Sequence, residues 1–286
     1  MAVSRGHPQG CGVSDLIPLA APNLRGKETE YTAQAISREY IGPSGPFVER
    51  FEAMVAKASG RKWAVATITG TAAIHASLEL LDVRGKSIFA PRDAFPAGRN
   101  VLTIVGAEPF PAGGGEHHDV QFYAKLCDRA PAIGEPPILI ADLESYSFAA
   151  NKIVTCGQGG AVVGDDLALM LAVRAIINQG RDRLGKFNYR MADINAAVGC
   201  AQMERLDELK EAKRRIWRRY ADAGIPMMER GNSRWMATTT RRLDINALRN
   251  LGIEAREECG GVSLPCGTGL TEAEQDTVIK CVASLS

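Results

Sequence analysis

Trp63-Ala64-Val65-Ala66-Thr67-Ile68-Thr69-Gly70-Thr71-Ala72-Ala73-Ile74-His75-Ala76-Ser77-Leu78-Glu79-Leu80-Leu81 passes from an apolar run, through a glycine–threonine turn, into a stretch with helical spacing. Residues 63–67 read as a short buried strand, and Ile74, Leu78 and Leu81 recur at the spacing of one helix face. Gly70-Thr71-Ala72-Ala73 therefore falls between a strand end and a helix start. A glycine there lets the backbone approach a ligand closely, and the first amides of the helix are unpaired at the positive end of its dipole. Such a turn can bind a phosphate. Gly-Thr is equally an ordinary helix cap, and the turn alone does not choose between the two.

Outward from this unit the same alternation continues. Short apolar strands are predicted at Ser87–Ala90, Thr103–Val105 and Ile138–Ala141, the first two flanking a helix-compatible stretch. Helical spacing covers Lys27 to Tyr40 and Phe47 to Ala58, separated by the breakers Ile41-Gly42-Pro43-Ser44-Gly45-Pro46. Ile153-Val154-Thr155 and Ala161-Val162-Val163, on either side of Gly157-Gln158-Gly159-Gly160, read as a hairpin. A long helix is predicted from Ile194 to Tyr220, with Val198, Ala201, Leu206, Leu209 and Ile216 along one stripe. The fold class expected is α/β with a mainly parallel sheet and a small α+β C-terminal lobe. The expected division is a flexible arm over 1–16, a large domain over 17–205 and a small domain over 206–286.

Composition excludes little but fits a soluble globular protein. The 286 residues carry 34 basic and 33 acidic side chains, a net charge of +1 that argues neither for nor against nucleic acid or anionic membrane. The opening MAVSRGHPQGCGVSD has no apolar signal-peptide core, and no apolar run reaches the length needed to cross a bilayer. Seven cysteines, at 11, 127, 156, 200, 259, 266 and 281, are scattered and odd in number, which suits reduced thiols in a cytoplasmic protein.

Two residue types stand out as chemistry. Ser147-Phe148-Ala149-Ala150-Asn151-Lys152 places a hydroxyl five residues before a lysine that leads into the glycine turn. A lysine so placed can form an imine with an aldehyde cofactor once burial or a neighbouring cation lowers its proton affinity, although a single lysine is more often simply solvated. Asp142 follows the apolar run Ile138-Leu139-Ile140-Ala141. A carboxylate at the C-terminal end of a parallel strand lies where α/β folds bind ligands, and a helix cap is its competing role.

Taken in order, several stretches resemble the DegT/StrS group of sugar aminotransferases, which have the aminotransferase fold and use pyridoxal phosphate. Gly45-Pro46-Phe47-Val48-Glu49-Arg50-Phe51-Glu52 is similar to the group's N-terminal signature, and Gly70 to His75 to its phosphate turn. Ser147 to Lys152, running on to Gly157–Gly160, resembles its cofactor-lysine segment; Asn188 to Ala197 resembles the signature that follows. Ser263-Leu264-Pro265 and Gly269-Leu270-Thr271 resemble its C-terminal end. The resemblance implies that Lys152 forms the Schiff base with pyridoxal phosphate and moves the substrate proton. It implies that Asp142 pairs with the pyridine nitrogen, that Phe95 stacks on the ring, and that Gly70, Thr71, Ala72 and Ser147 hold the phosphate. Asn188 would reach the phosphate of a neighbouring subunit, making the active unit a homodimer with shared sites. The reaction implied is transfer of an amino group from a donor, glutamate by expectation, to a keto acceptor such as a nucleotide-linked sugar.

The chain departs from the group in being short. The segment from Phe110 to Pro136 reads as a glycine-rich loop and a short helical stretch where the group has a further strand and helix. Ser145 stands where the group has a glutamine three residues after its aspartate. A trimmed site would admit a bulky amine on a larger carrier or on a nucleic acid. The cluster Lys210, Lys213, Arg214, Arg215, Arg218, Arg219, with Trp217 and Tyr220, is compatible with that, as it is with a solvated helix face. Two other outcomes stay open at this level: decarboxylation or related carbanion chemistry with the same cofactor, and a non-catalytic binding or regulatory descendant. Glu116-His117-His118-Asp119 and Cys259 with Cys266 lack the partners of a metal site, and His75 reads as a packed core histidine.

Overall fold

The computed structural model describes residues 16–90, 95–111, 121–179, 186–229, 233–258 and 260–285. In chain order these form α1 (Glu28–Ser37), α2 (Pro46–Ser59), β1 (Trp63–Thr67), α3 (Gly70–Leu80), β2 (Ser87–Ala90), α4 (Pro96–Ile104) and β3 (Glu108–Pro111). There follow β4 (Gln121–Tyr123), β5 (Leu126–Asp128), β6 (Leu143–Ser147), β7 (Gly160–Gly164), α5 (Leu167–Ile176), α6 (Asp193–Met203) and α7 (Leu206–Asp222). The C-terminal part holds β8 (Ala237–Thr239), α8 (Ile245–Asn250), β9 (Arg256–Glu258), β10 (Gly261–Leu264) and α9 (Glu272–Ser284).

The central sheet runs β1-β7-β6-β5-β4, beside a parallel β2–β3 pair. β1, β6 and β5 point the same way, while β7 and β4 run against them. Strand alternation sends side chains to two opposite layers. Ala64, Ala66, Tyr146, Ala161 and Val163 pack with Phe47, Phe51, Ala197 and Cys200 of α2 and α6. Val65, Leu143 and Val162 pack on the other side with Ile74, Leu78, Leu102, Val173 and Ile176 of α3, α4 and α5. The expected α/β architecture is thus present. A third cluster, with Ile216, Tyr220, Leu264, Val278 and Val282, forms the C-terminal lobe around the sheet β8-β10-β9, and Leu19 belongs to it.

Local chemistry explains the ends of the helices that shape the site. α2 starts with Pro46, and its first turn is capped from afar by Asp193, whose Oδ1 accepts from the Val48 amide at 2.8 Å. Thr69 caps α3, its Oγ1 accepting from the Ala72 amide at 3.0 Å. The C-terminal helix carries a full capping box between Thr271 and Glu274.

Four sequence expectations are corrected. Thr103 and Ile104 belong to α4, which Pro96 initiates, and the strand comes later, at Glu108–Pro111. Residues 138–141 are not a strand, because the buried Arg61 guanidinium draws the carbonyls of Ile138 and Ala141 to itself, at 2.7 and 3.0 Å. Leu139 and Ile140 are left 77% and 82% exposed. The hairpin around Gly157 is absent, since β7 is flanked on both edges by β1 and β6, and Ile153 and Val154 pack as core. The long helix is two, broken at Glu204-Arg205, where Arg205 turns to bond Glu208 and Asn23.

Candidate active site

The parallel strands β5 and β6 end together, and the residues beyond those ends converge. Thr67, Gly160 and Ser147 stand side by side across β1, β7 and β6. A methyl added to Gly70 would meet Ser147 Cβ at 2.8 Å, so the first turn of α3 lies directly against that serine. Gly160 is closer still: its missing Cβ would fall 2.3 Å from the Thr69 carbonyl oxygen and 2.6 Å from the Gly70 nitrogen. Only glycine at both positions lets strand and helix start approach this far. The result is a cradle of helix-start amides with the Ser147 hydroxyl beside it and Thr71 exposed at its mouth.

Lys152 follows on a tight turn, its amide donating to the Ala149 carbonyl at 3.0 Å. Its side chain is half-buried, and Nζ lies 3.7 Å from the centroid of the Trp235 ring. Trp235 belongs to the C-terminal lobe, so the lysine is covered from outside the large domain.

Asp142 does not join this group. It precedes β6 at the end opposite Ser147, five strand residues or about 16 Å away, and its carboxylate pairs with the exposed Lys125 at 3.0 Å. The acid that does face the site is Asp128, the last residue of β5 and level with Ser145 on β6. Its Oδ1 accepts from the Ser145 hydroxyl and from the Ala130 amide, both at 3.1 Å. Burial pushes its proton affinity up, to a pKa of about 6, against the opposing pull of Ser145, the Lys152 charge and Ala130. The signal for Asp128 was present in the sequence, since Leu126-Cys127-Asp128 is also an apolar run ending in a carboxylate. It was hidden inside a segment that read as loop and helix.

The remaining predicted residues are placed as follows. Phe95 caps α4 and is 68% exposed. Asn188 is exposed, in a bridge with Asn178, and two residues further on Arg190 bridges to Thr67 in the site row. His75 is buried against Phe187 and Tyr189, its Nδ1 3.1 Å from the tyrosine hydroxyl, and burial lowers its proton affinity. The basic cluster on α7 is not one face. Lys213 is buried on the carbonyls of Trp235 and Cys266, Lys210 on that of Gly134, and Arg219 pairs with Asp276. Tyr220 is buried, donating to the Pro265 carbonyl at 2.7 Å. Glu116–Asp119, Cys259 and most of the N-terminal arm lie outside the described residues.

Below the site a buried ion network ties the layers together. Glu144, with no exposed surface, accepts from Arg61 Nε at 2.8 Å, Arg129 at 2.7 Å, the Tyr146 hydroxyl at 2.9 Å and the Ile138 amide at 3.0 Å. Arg129 adjoins Asp128, so this network fixes the backbone from which the acid projects.

Solved structures share the architecture. The chain superposes on the aminotransferase TlmJ from Streptoalloteichus hindustanus with a TM-score of 0.83, over 94% of this chain and 98% of that one, at 19% identity. On Helicobacter pylori PseC, an aminotransferase involved in the biosynthesis of pseudoaminic acid, the TM-score is 0.82, over 94% and 99%, at 15% identity. The fold is that of the pyridoxal-phosphate-dependent enzymes of fold type I.

Sequence narrows the class. The profile of the DegT/DnrJ/EryC1/StrS aminotransferase family matches residues 22–117 and 134–244, and the chain belongs to that family. It is a pyridoxal-phosphate-dependent aminotransferase. GDP-perosamine synthase of Caulobacter vibrioides is 28% identical, covering 93% of this chain and 98% of that protein. The Vibrio cholerae GDP-perosamine synthase is 28% identical over 74% of this chain and 72% of its own length. The first of these alignments extends over 363 positions, more than the chain's own 286 residues, so the relative carries internal segments that this chain lacks. The profile match omits 118–133, the stretch that contains Asp128.

Proposed function

We propose that the chain holds pyridoxal phosphate beyond the ends of β5 and β6 and transfers the amino group of an amino-acid donor, such as glutamate, to a keto group on a nucleotide-linked sugar. One observation carries the reading: a glycine-lined helix start, a buried carboxylate and a lysine meet at one end of the sheet. The residues fit the group. The amides of Gly70 and Thr71 and the Ser147 hydroxyl suit a phosphate, with Ala72 placing its turn against the site while its own amide is held by Thr69 Oγ1, and Asp128 suits a ring nitrogen.

Pyridoxal phosphate bound there supplies an electron sink for the substrate carbon that loses its proton. The protein's own groups do the rest. Both bonds already made by Asp128 fall on Oδ1, which leaves Oδ2 to hold a proton toward the ring nitrogen. Lys152 Nζ, once free, takes the proton from the substrate carbon and returns it on the other side of the transfer. Trp235 covers Lys152 from the C-terminal lobe, and Phe95, exposed at the start of α4, is assigned to stack on the cofactor ring. Identity to the GDP-perosamine synthases supports a nucleotide-linked sugar as acceptor.

Three further assignments belong to the same proposal. Asn188, exposed yet tied to the site row through Arg190, serves a second subunit's phosphate in a homodimer. Asp128 replaces Asp142 as the acid of the pyridine nitrogen. The domains divide near Glu204-Arg205, with residues from Ile17 to Ala20 assigned to the C-terminal lobe they pack against. Among the described residues no helix is long and apolar enough to cross a membrane, and we place the enzyme in the cytoplasm.

The test is an absorption spectrum of purified protein with added pyridoxal phosphate, for wild type and Lys152→Ala. A visible band that needs Lys152, bleaches with glutamate and returns with a nucleotide-linked keto-sugar is the expected result. A band indifferent to Lys152, or unaffected by every amino donor, refutes the reading.

A further inference from the structure

Trp235 occupies a singular position. It packs against the hydrophobic cluster between the sheet and α2 and α6, and also against the cluster of the C-terminal lobe; among the described hydrophobic residues no other borders both. It lies on the short segment between α7 and β8, and its backbone is pinned. Lys213 Nζ donates to the Trp235 carbonyl and to the Cys266 carbonyl, both at 2.7 Å, from a side chain that is 2% exposed. The Trp235 amide donates to Ser233 Oγ at 3.4 Å. On the neighbouring residue, Arg234 lies over the Trp217 ring at 4.2 Å, which anchors the segment from its other side. The ring so held meets the Lys152 ammonium at 3.7 Å.

A cation over an indole face is attracted by the ring quadrupole, more strongly as water is excluded. Resting on the proposed role of Lys152, we propose that Trp235 is a positioning residue for the lysine amine. It receives the ammonium whenever that nitrogen is not bonded to the cofactor, and it makes the seating of the C-terminal lobe a condition for the lysine's placement. Asp128 on β5 attracts this ammonium from the sheet side. Lys213 on α7 is directed to two carbonyls behind Trp235, and Arg234 to the Trp217 face and Glu229.

The test uses the full-length protein without added cofactor and reads the lysine directly. Reductive methylation with formaldehyde and cyanoborohydride is followed at Lys152 by mass spectrometry as a function of pH, because only the neutral amine reacts. Losing the indole face in Trp235→Leu should lower the pH of half-maximal labelling by about 0.4 to 1.5. Trp235→Phe, which keeps an aromatic face, should recover at least half of that change. Lys213→Met, which frees the Trp235 carbonyl, should move labelling in the same direction as the leucine variant. An unchanged midpoint in Trp235→Leu overturns the proposal. Equal changes in the leucine and phenylalanine variants also overturn it, since packing rather than the ring face would then be responsible. The Lys152-dependent absorption band with added pyridoxal phosphate tests the functional reading separately, so loss of one result leaves the other interpretable.

Discussion

Replacing Asp128 by asparagine should make the cofactor-free protein more stable at neutral pH while damaging its chemistry. The carboxyl is 8% exposed, and burial holds its proton from the ordinary 3.8 up to about 6. The sign follows from linkage: between those values the folded state binds the proton and the unfolded chain does not. Stability from this group is therefore complete below about 4 and is lost as pH rises through about 6. A rise of that size corresponds to about 3 kcal/mol at pH 7 and above. Asparagine removes the buried charge. Its carbonyl oxygen can still accept from Ser145 and Ala130, and its new amide donors need partners, which reduces the expected gain to about 1–3 kcal/mol. Urea denaturation of wild type and Asp128→Asn between pH 4.5 and 8 reads this directly. The two should agree near pH 4.5 and separate by pH 7.5, with the variant the more stable. A variant equally or less stable at pH 7.5 would refute the account of Asp128 as a desolvated acid. The same substitution should reduce amino transfer by orders of magnitude, because an amide cannot keep the ring nitrogen protonated.

Asp142→Asn, by contrast, should change stability by about 1 kcal/mol or less and leave the Lys152-dependent band intact, since an exposed ion pair contributes little; a lost band would return Asp142 to the site. Gly160→Ala should abolish cofactor binding and lower the melting temperature markedly, because its methyl would fall 2.3 Å from the Thr69 oxygen; retained binding in a spectroscopic titration would contradict the close approach of β7 to α3. Glu144→Ala leaves Arg61 and Arg129 buried without their shared carboxylate and should cost about 3–5 kcal/mol in urea denaturation, whereas a cost below 1 kcal/mol would mean that water reaches the network.

What was legible in the sequence was local. Apolar run, glycine–threonine turn and amphipathic run at 63–81 became β1, the cradle and α3 because each signal is decided by neighbours in the chain. Ser147 and Lys152 were reached through the resemblance of their segment to the family rather than through a local signal, and the structure sets Ser147 beside Gly70 and Lys152 against Trp235. Thr103–Val105 and Ile138–Ala141 failed for want of length: three or four apolar residues suit a strand, a helix or a turn. The decision at 138–141 is made by Arg61, 77 residues away, and cannot be read from the segment itself. Trp235 was invisible for a related reason, since its importance comes from a lysine far from it in the sequence, on the segment after β6. Asp128 and Asp142 each follow a short apolar run, and only strand pairing tells which lies at the end where Ser147 emerges.

The same pairing explains how a short chain keeps the proposed site together. A strand laid parallel to β5 would need a crossover connection of a dozen or more residues. Here β4 is antiparallel and returns through Ala124-Lys125, with Ala124 in the left-handed region at φ 57°. Two residues thus do the work of a crossover, and β4 still closes the sheet toward β2. β5 itself cannot be dispensed with, because it carries Asp128 and fixes it against Ser145 in parallel register with β6. Shortening on the β4 side leaves that register untouched, and the chemistry proposed for Asp128 depends on the register. Lengthening the Ala124-Lys125 turn with glycine residues should therefore preserve the Lys152-dependent band, whereas deleting β5 should remove it. Loss of the band in the lengthened variant would show that the tight hairpin itself sets the position of Asp128.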